Sequence, residues 1–204
     1  MSTFLQTAAM ASSGGENLWQ RALDSLRPEL QAGLGIAKTH KRDILAAVLK
    51  AAEEKRELCL SKRWKYRRSN GDEVILRDVL EKIAKWVHLF KGVGDAAVQF
   101  DPTAASLPWA AVRFLLQTAV NDVQVFGAMI TDLEVISRLI ARYRRFELVH
   151  LRHQGEGRKE LETALTSLYT EVLVHLAATV RYFHESTIGS SGLSLWISAR
   201  FAVL

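Results

Sequence analysis

The side chains best suited to chemistry in this 204-residue chain fall in a few places. The string Gly92-Val93-Gly94-Asp95-Ala96-Ala97 fits the dinucleotide fingerprint G-x-G-x-x-A. Those glycines let a pyrophosphate approach a helix N-terminus directly after a strand. Here the string follows a helical apolar stripe, so a bend or end of that helix is expected. His150 and His153 stand at i, i+3 and place two imidazoles on one helix face. Zinc needs at least one further ligand, and no acidic or cysteine cluster is tied to them by spacing. A solvated pair near a helix C-terminus, where cations favour the dipole, is the expectation. Cys59 lies between Leu58 and Leu60 and is expected to pack rather than react.

The strongest polar feature is Lys62-Arg63-Trp64-Lys65-Tyr66-Arg67-Arg68. Lys62, Arg63, Lys65, Arg67 and Arg68 are suited to anionic contacts, with the two rings stacking on bases or sitting among lipid headgroups. Trp64 can equally anchor an interhelical loop in the core and leave the cations merely solvated. Arg142, Arg144 and Arg145 form a second basic cluster with the same ambiguity, because bundle helices and lipid-binding helices share this pattern. No G-x-x-x-x-G-K-[ST] loop or G-x-S-x-G elbow occurs. Nucleotide hydrolysis is therefore not expected of this chain, and no catalytic, metal-binding or cofactor-binding residue is assigned.

The elements that position these groups read as helices. Almost half the residues, 49%, are apolar, which suits a buried core, while only 3 prolines and 12 glycines argue against an all-β fold with its frequent turns. The net charge of +5 is unevenly spread. Residues 38–68 hold 11 basic and 4 acidic groups, residues 138–159 hold 7 and 2, and the remainder carries −7. Two basic segments against an acidic remainder suggest faces with different partners rather than a nucleic-acid footprint. A single cysteine allows no intrachain disulfide and points to a reducing, cytoplasmic setting. Residues 1–15 lack the basic and apolar regions of a signal peptide. The uncharged runs Pro102–Val112 and Ser186–Ala199 fall short of the ~20 residues that span a bilayer.

Along the chain, residues 1–16 read as a flexible leader and Asn17 as the cap of a first helix, closed by Pro28, Gly33 and Gly35. A second helix is expected from about Arg42 to Ser61, then a turn at Ser69-Asn70-Gly71 with Asp72 capping a third. Asp101-Pro102 is a stop. Ser106 and Pro108 restart a helix. From Trp109 to Arg152 the spacing fits one bent helix or two, broken near Asn121-Asp122 or Gly127. A last helix runs from Lys159 to about His184 with the cleanest apolar stripe. No alternating strand pattern and no fixed-period repeat is seen. The expected fold is an all-α antiparallel bundle of about five to seven helices, occupying residues 17–186.

Read in order, several words resemble one family. They are Leu18-Trp19-Gln20-Arg21-Ala22-Leu23, Val74–Ile83, Phe90–Asp95, Asp101-Pro102, Leu107-Pro108-Trp109, Arg113-Phe114, Phe126-Gly127 and Arg142-Tyr143. The chain resembles the N-terminal domain of fungal NACHT NTPases, the NOD-like-receptor-type STAND proteins. The resemblance implies a signalling or effector domain, without catalytic residues, placed before a nucleotide-switching module and linked to cell death or non-self recognition. It implies protein partners or self-association in the cytoplasm; the alternative, a membrane-active helical effector at the membrane periphery, rests instead on the basic segments 62–68 and 138–159 meeting anionic lipid. No nucleic acid or small-molecule substrate is expected. The tail 187–204, with Ser190-Ser191-Gly192-Leu193-Ser194-Leu195-Trp196-Ile197, departs from the family, where a P-loop would follow. A free-standing effector or adaptor, a fragment, and a gene reading through an intron all fit that ending.

Overall fold

The computed structural model describes residues 18–37, 43–95, 106–150 and 157–188. They form α1 (Leu18–Asp24), α2 (Pro28–Ala37), α3 (Ile44–Lys62), β1 (Lys65–Arg67), β2 (Glu73–Ile75), α4 (Leu76–Asp95), α5 (Leu107–Gln117), α6 (Val123–His150) and α7 (Arg158–Ile188). The expected all-α bundle is found, with seven helices among the described residues. The leader 1–16, Asn17, Ala96–Phe100, Asp101, Pro102, His153 and the tail from Gly189 lie outside the described residues.

Two helical groups meet at α5. On one side α4 packs against both α3 and α6, and on the other α7 packs against α1 and α2. α5 touches α3, α7 and α2, so it joins the groups. Its sequence explains that place: Pro108, Trp109, Ala110, Ala111, Val112, Leu115 and Leu116 are all buried. A helix apolar on most of its circumference is stable only in an interior. Ring contacts seal the groups, with Phe90 meeting Trp109 edge-on at 5.2 Å and Trp19 stacked on Tyr169 at 4.0 Å.

Local chemistry sets the ends. Asp43 Oδ1 accepts from Ala46 N at 2.9 Å and starts α3. Arg63 ends it in the left-handed region, φ 51°, with Trp64 N donating to Cys59 O. The break expected near Asn121-Asp122 is present: Asp122 Oδ1 accepts from Gln124 N and Val125 N at 2.7 and 3.0 Å, which opens α6. Gly127 lies inside α6 and breaks nothing.

Two expectations are corrected. Pro28 opens α2 instead of closing α1, since a first-turn proline loses no hydrogen bond, and Gly33 and Gly35 lie within that helix. Gly33 serves a close approach: a Cβ there would sit 3.2 Å from the Ala177 carbonyl oxygen on α7. The segment 65–75 is a hairpin, with Tyr66 opposite Val74 and Arg67 opposite Glu73. Asp72 is therefore a turn residue and not a helix cap, its N–H donating to Asn70 Oδ1 and its Oδ2 accepting from Asn70 Nδ2. Gly71, at φ +90°, makes that turn.

By length and composition, α7 is the one helix among the described residues long and apolar enough to cross a membrane. In this fold its stripe Leu165, Tyr169, Val172, Leu173, Leu176, Ala177, Val180 and Phe183 is buried in the bundle. A core helix of a bundle has the same composition.

Candidate functional site

The hairpin takes the basic run and sorts it by strand alternation. Tyr66 and Val74 turn toward the bundle, and Lys65, Arg67, Glu73 and Ile75 face out. Trp64 packs edge-on to Phe126 at 5.7 Å, while Tyr66 lies so close to Gly127 that a Cβ there would be 2.6 Å from Tyr66 Cγ. Both rings are thus taken up by α6. Lys65 Nζ lies 3.0 Å from Glu73 Oε2 and Arg67 3.6 Å from Glu73 Oε1. The hydrogen bond and charge of Lys65, followed by those of Arg67, hold the Glu73 carboxyl below its ordinary range. Lys62 sits over the Trp64 ring at 5.2 Å. Arg63 and Arg68 are exposed, with no ion-pair partner among the described residues.

The second basic cluster is divided by helical phase. At about 100° per residue, Val135, Arg138, Arg142, Arg145, Phe146 and Val149 share an arc roughly 100° wide on α6. Two neighbours flank it. Trp86 Nε1 donates to Glu134 Oε1 at 2.8 Å, which places α4 along one side. Tyr169 OH donates to Glu147 Oε2 at 3.1 Å, which places α7 along the other. Val149, Phe146 and Val135 remain 54%, 39% and 37% exposed, values that set them apart from the core stripe. Arg142 and Arg145 are exposed and Arg138 half-buried. None of the three has an ion-pair partner among the described residues. Tyr143 meets Phe146 edge-on at 6.4 Å, and Phe146 lies against His150 at 4.1 Å.

Arg144 leaves the cluster altogether. Its Nη1 lies 3.1 Å from Glu147 Oε1, with the two side chains only 9% and 8% exposed. Burial, then the Glu147 charge and hydrogen bond, push the Tyr169 hydroxyl well above its ordinary range, so it stays a donor. Removing one member of such a buried pair leaves an uncompensated charge in the interior. The pair lies within α6, and the Tyr169 hydrogen bond to Glu147 is what ties α6 to α7, beside the Trp19 stack from α1.

The remaining sequence-selected residues are structural. Pro108 and Trp109 are buried in α5, Leu107 and Phe114 pack partly against the core, and Arg113 Nη1 donates to Gln117 Oε1 at 2.8 Å. Phe126 is core, and Gly127 is the seat for Tyr66. Gly92–Asp95 are helical, at the end of α4, so no strand precedes them as the dinucleotide fingerprint requires. Cys59 is buried, and burial raises its thiol to about 11 despite the nearby Lys55 charge, which leaves it protonated and unreactive. Sequence reasoning missed Val135, Phe146 and Val149. The available signal was phase, because Phe146 and Val149 fall outside the stripe that runs through Ile136, Ile140 and Tyr143.

A family profile described as Domain of unknown function (DUF7708) matches residues 78–199, more than half of the chain. The match covers most of α4 and all of α5, α6 and α7. No curated protein and no solved structure matches the chain.

Proposed function

The chain belongs to the DUF7708 family, and from that premise we propose that it is a non-enzymatic signalling domain acting by helix-mediated protein association. The resemblance to the N-terminal domain of fungal NACHT NTPases supplies the finer reading: a NOD-like-receptor-type effector in cell-death or innate-immunity-like signalling, in the cytoplasm. One observation carries the association reading. The outer face of α6 leaves Val135, Phe146 and Val149 exposed among arginines, on a helix whose inner face is locked in the core. Exposed apolar side chains set among arginines are characteristic of interfaces.

The test is production of the chain in a fungal host with a cell-death readout. Death that depends on Phe146 and Val149 at unchanged protein abundance is the expected result. Sustained ATP hydrolysis by the purified chain would contradict the non-enzymatic reading.

A second reading is engagement of anionic lipid. It is favoured by Lys62 and Arg63 before β1 and Arg68 after it, each of them exposed. Leakage of anionic liposomes that is lost on neutralising residues 62–68 would favour this reading, and indifference to lipid charge would remove it.

A further inference from the structure

We propose that the outer face of α6 is a docking site for an acidic amphipathic helix of a partner protein. This deepens the association reading above and rests on it. The face runs from Val135 to Val149, ~21 Å along the axis at ~1.5 Å per residue, which matches about four turns of a partner helix. Across its width it is asymmetric. Val135 and Phe146 lie toward the α7 flank, and Arg138 and Arg145 toward the α4 flank. Arg142 occupies the midline.

Among the described residues no carboxylate lies within ion-pair distance of the arginines on this face. The acidic side chains of α6 are directed to other partners: Glu134 accepts from Trp86, Glu147 is paired with Arg144 and Tyr169, and Asp132 lies 3.8 Å from His175. Arg138, Arg142 and Arg145 therefore meet no carboxylate among the described residues. A partner that covers Phe146 and Val149 also covers Arg142, and it must bring carboxylates to do so, because a desolvated unpaired charge is costly.

The position of Arg142 argues against the other two occupants. A second copy docked antiparallel through this face would bring Arg142 against its own counterpart near the two-fold axis, a like-charge contact. A bilayer that received the apolar side chains would draw Arg142, at the centre of the strip, toward hydrocarbon. Interfacial helices instead keep their cations on a separate polar face. An acidic helix satisfies both halves, placing its apolar side on Phe146 and Val149 and its carboxylates on the arginine row.

The experiment uses the full chain and a labelled, designed three-heptad helix with leucines on one face and glutamates beside them. A lysine version serves as control. Fluorescence anisotropy is expected to show salt-sensitive binding of the acidic helix and none of the lysine helix. Arg142→Glu and Phe146→Ala should each weaken binding by at least about tenfold, and Arg142→Gln by less. Lys50→Glu on α3 should leave it unchanged. Equal binding of the two helices, or binding indifferent to Arg142→Glu, overturns the proposal. So does either alternative occupant: vesicles of phosphatidylcholine with phosphatidylserine bound in an Arg142-dependent way while the acidic helix is not, or a dimer in sedimentation that Phe146→Ala dissolves. A cell-death phenotype that persists when the acidic helix fails would leave the association reading standing with a partner of different chemistry.

Discussion

The hairpin and the second half of α6 look alike as strings, since each mixes several arginines with aromatic side chains. Folded, they are opposites. In the hairpin the rings of Trp64 and Tyr66 turn inward onto Phe126 and Gly127, and Glu73 pairs with two of the outward cations. In α6 one cation, Arg144, turns inward to Glu147, while Phe146 stays at the surface beside Arg142 and Arg145. A basic cluster thus says little about binding until the phase of its element is known. Period two buries the rings of the hairpin, and period 3.6 buries one arginine of α6 while exposing a phenylalanine.

The inward arginine should be the most sensitive position of the two regions. Arg144→Met leaves Glu147 buried without its cation and is expected to cost about 3–5 kcal/mol in urea unfolding, whereas Arg142→Met should stay within ~0.5 kcal/mol. Equal losses at the two positions would erase the distinction between the faces. Tyr169→Phe removes a hydrogen bond to a carboxylate, and a loss of roughly 1.5–3 kcal/mol is expected by the same measurement. Gly127→Ala tests the hairpin side. Overpacking against Tyr66 outweighs the ~1 kcal/mol that alanine gains in a helix, so a net destabilisation on the order of 1 kcal/mol should appear as a lowered Tm.

The smallest expected effect is a pH dependence at the α6–α7 seam. His175 Nε2 lies 3.8 Å from Asp132 Oδ2, and burial holds the imidazole below its ordinary value of 6.5. A histidine lowered in the folded state binds protons more readily when unfolded. Stability should therefore fall as pH drops below about 6.5, down to the folded-state value. His175→Gln should flatten that part of the Tm-versus-pH curve, and an unchanged slope would assign it elsewhere.

Much of this architecture is legible in the residues. Asp43 before an apolar run, Pro108 in a first turn and Asp122 before Val125 act locally, so the starts of α3, α5 and α6 follow from the chain. The stripe of α7 is long and regular for the same reason. The hairpin is illegible because three-residue strands carry too little alternation to register, and Tyr66 takes its seat on Gly127, about 60 residues further along the chain. α2 is hidden because a proline and two glycines usually punctuate a chain, yet one opens this helix and another permits its contact with Ala177. The candidate site is only half legible. Arg142 and Arg145 are visible as a cluster with Arg144, but separating them depends on Glu147 and Tyr169, and Tyr169 belongs to another helix.

An amide chemical-shift titration of the full chain with the acidic designed helix separates the α6 face from the hairpin. Shifts are expected to concentrate at Val135–Val149 on α6, with the hairpin Lys65–Ile75 unmoved. Shifts centred on the hairpin, with α6 unmoved, would contradict docking on α6.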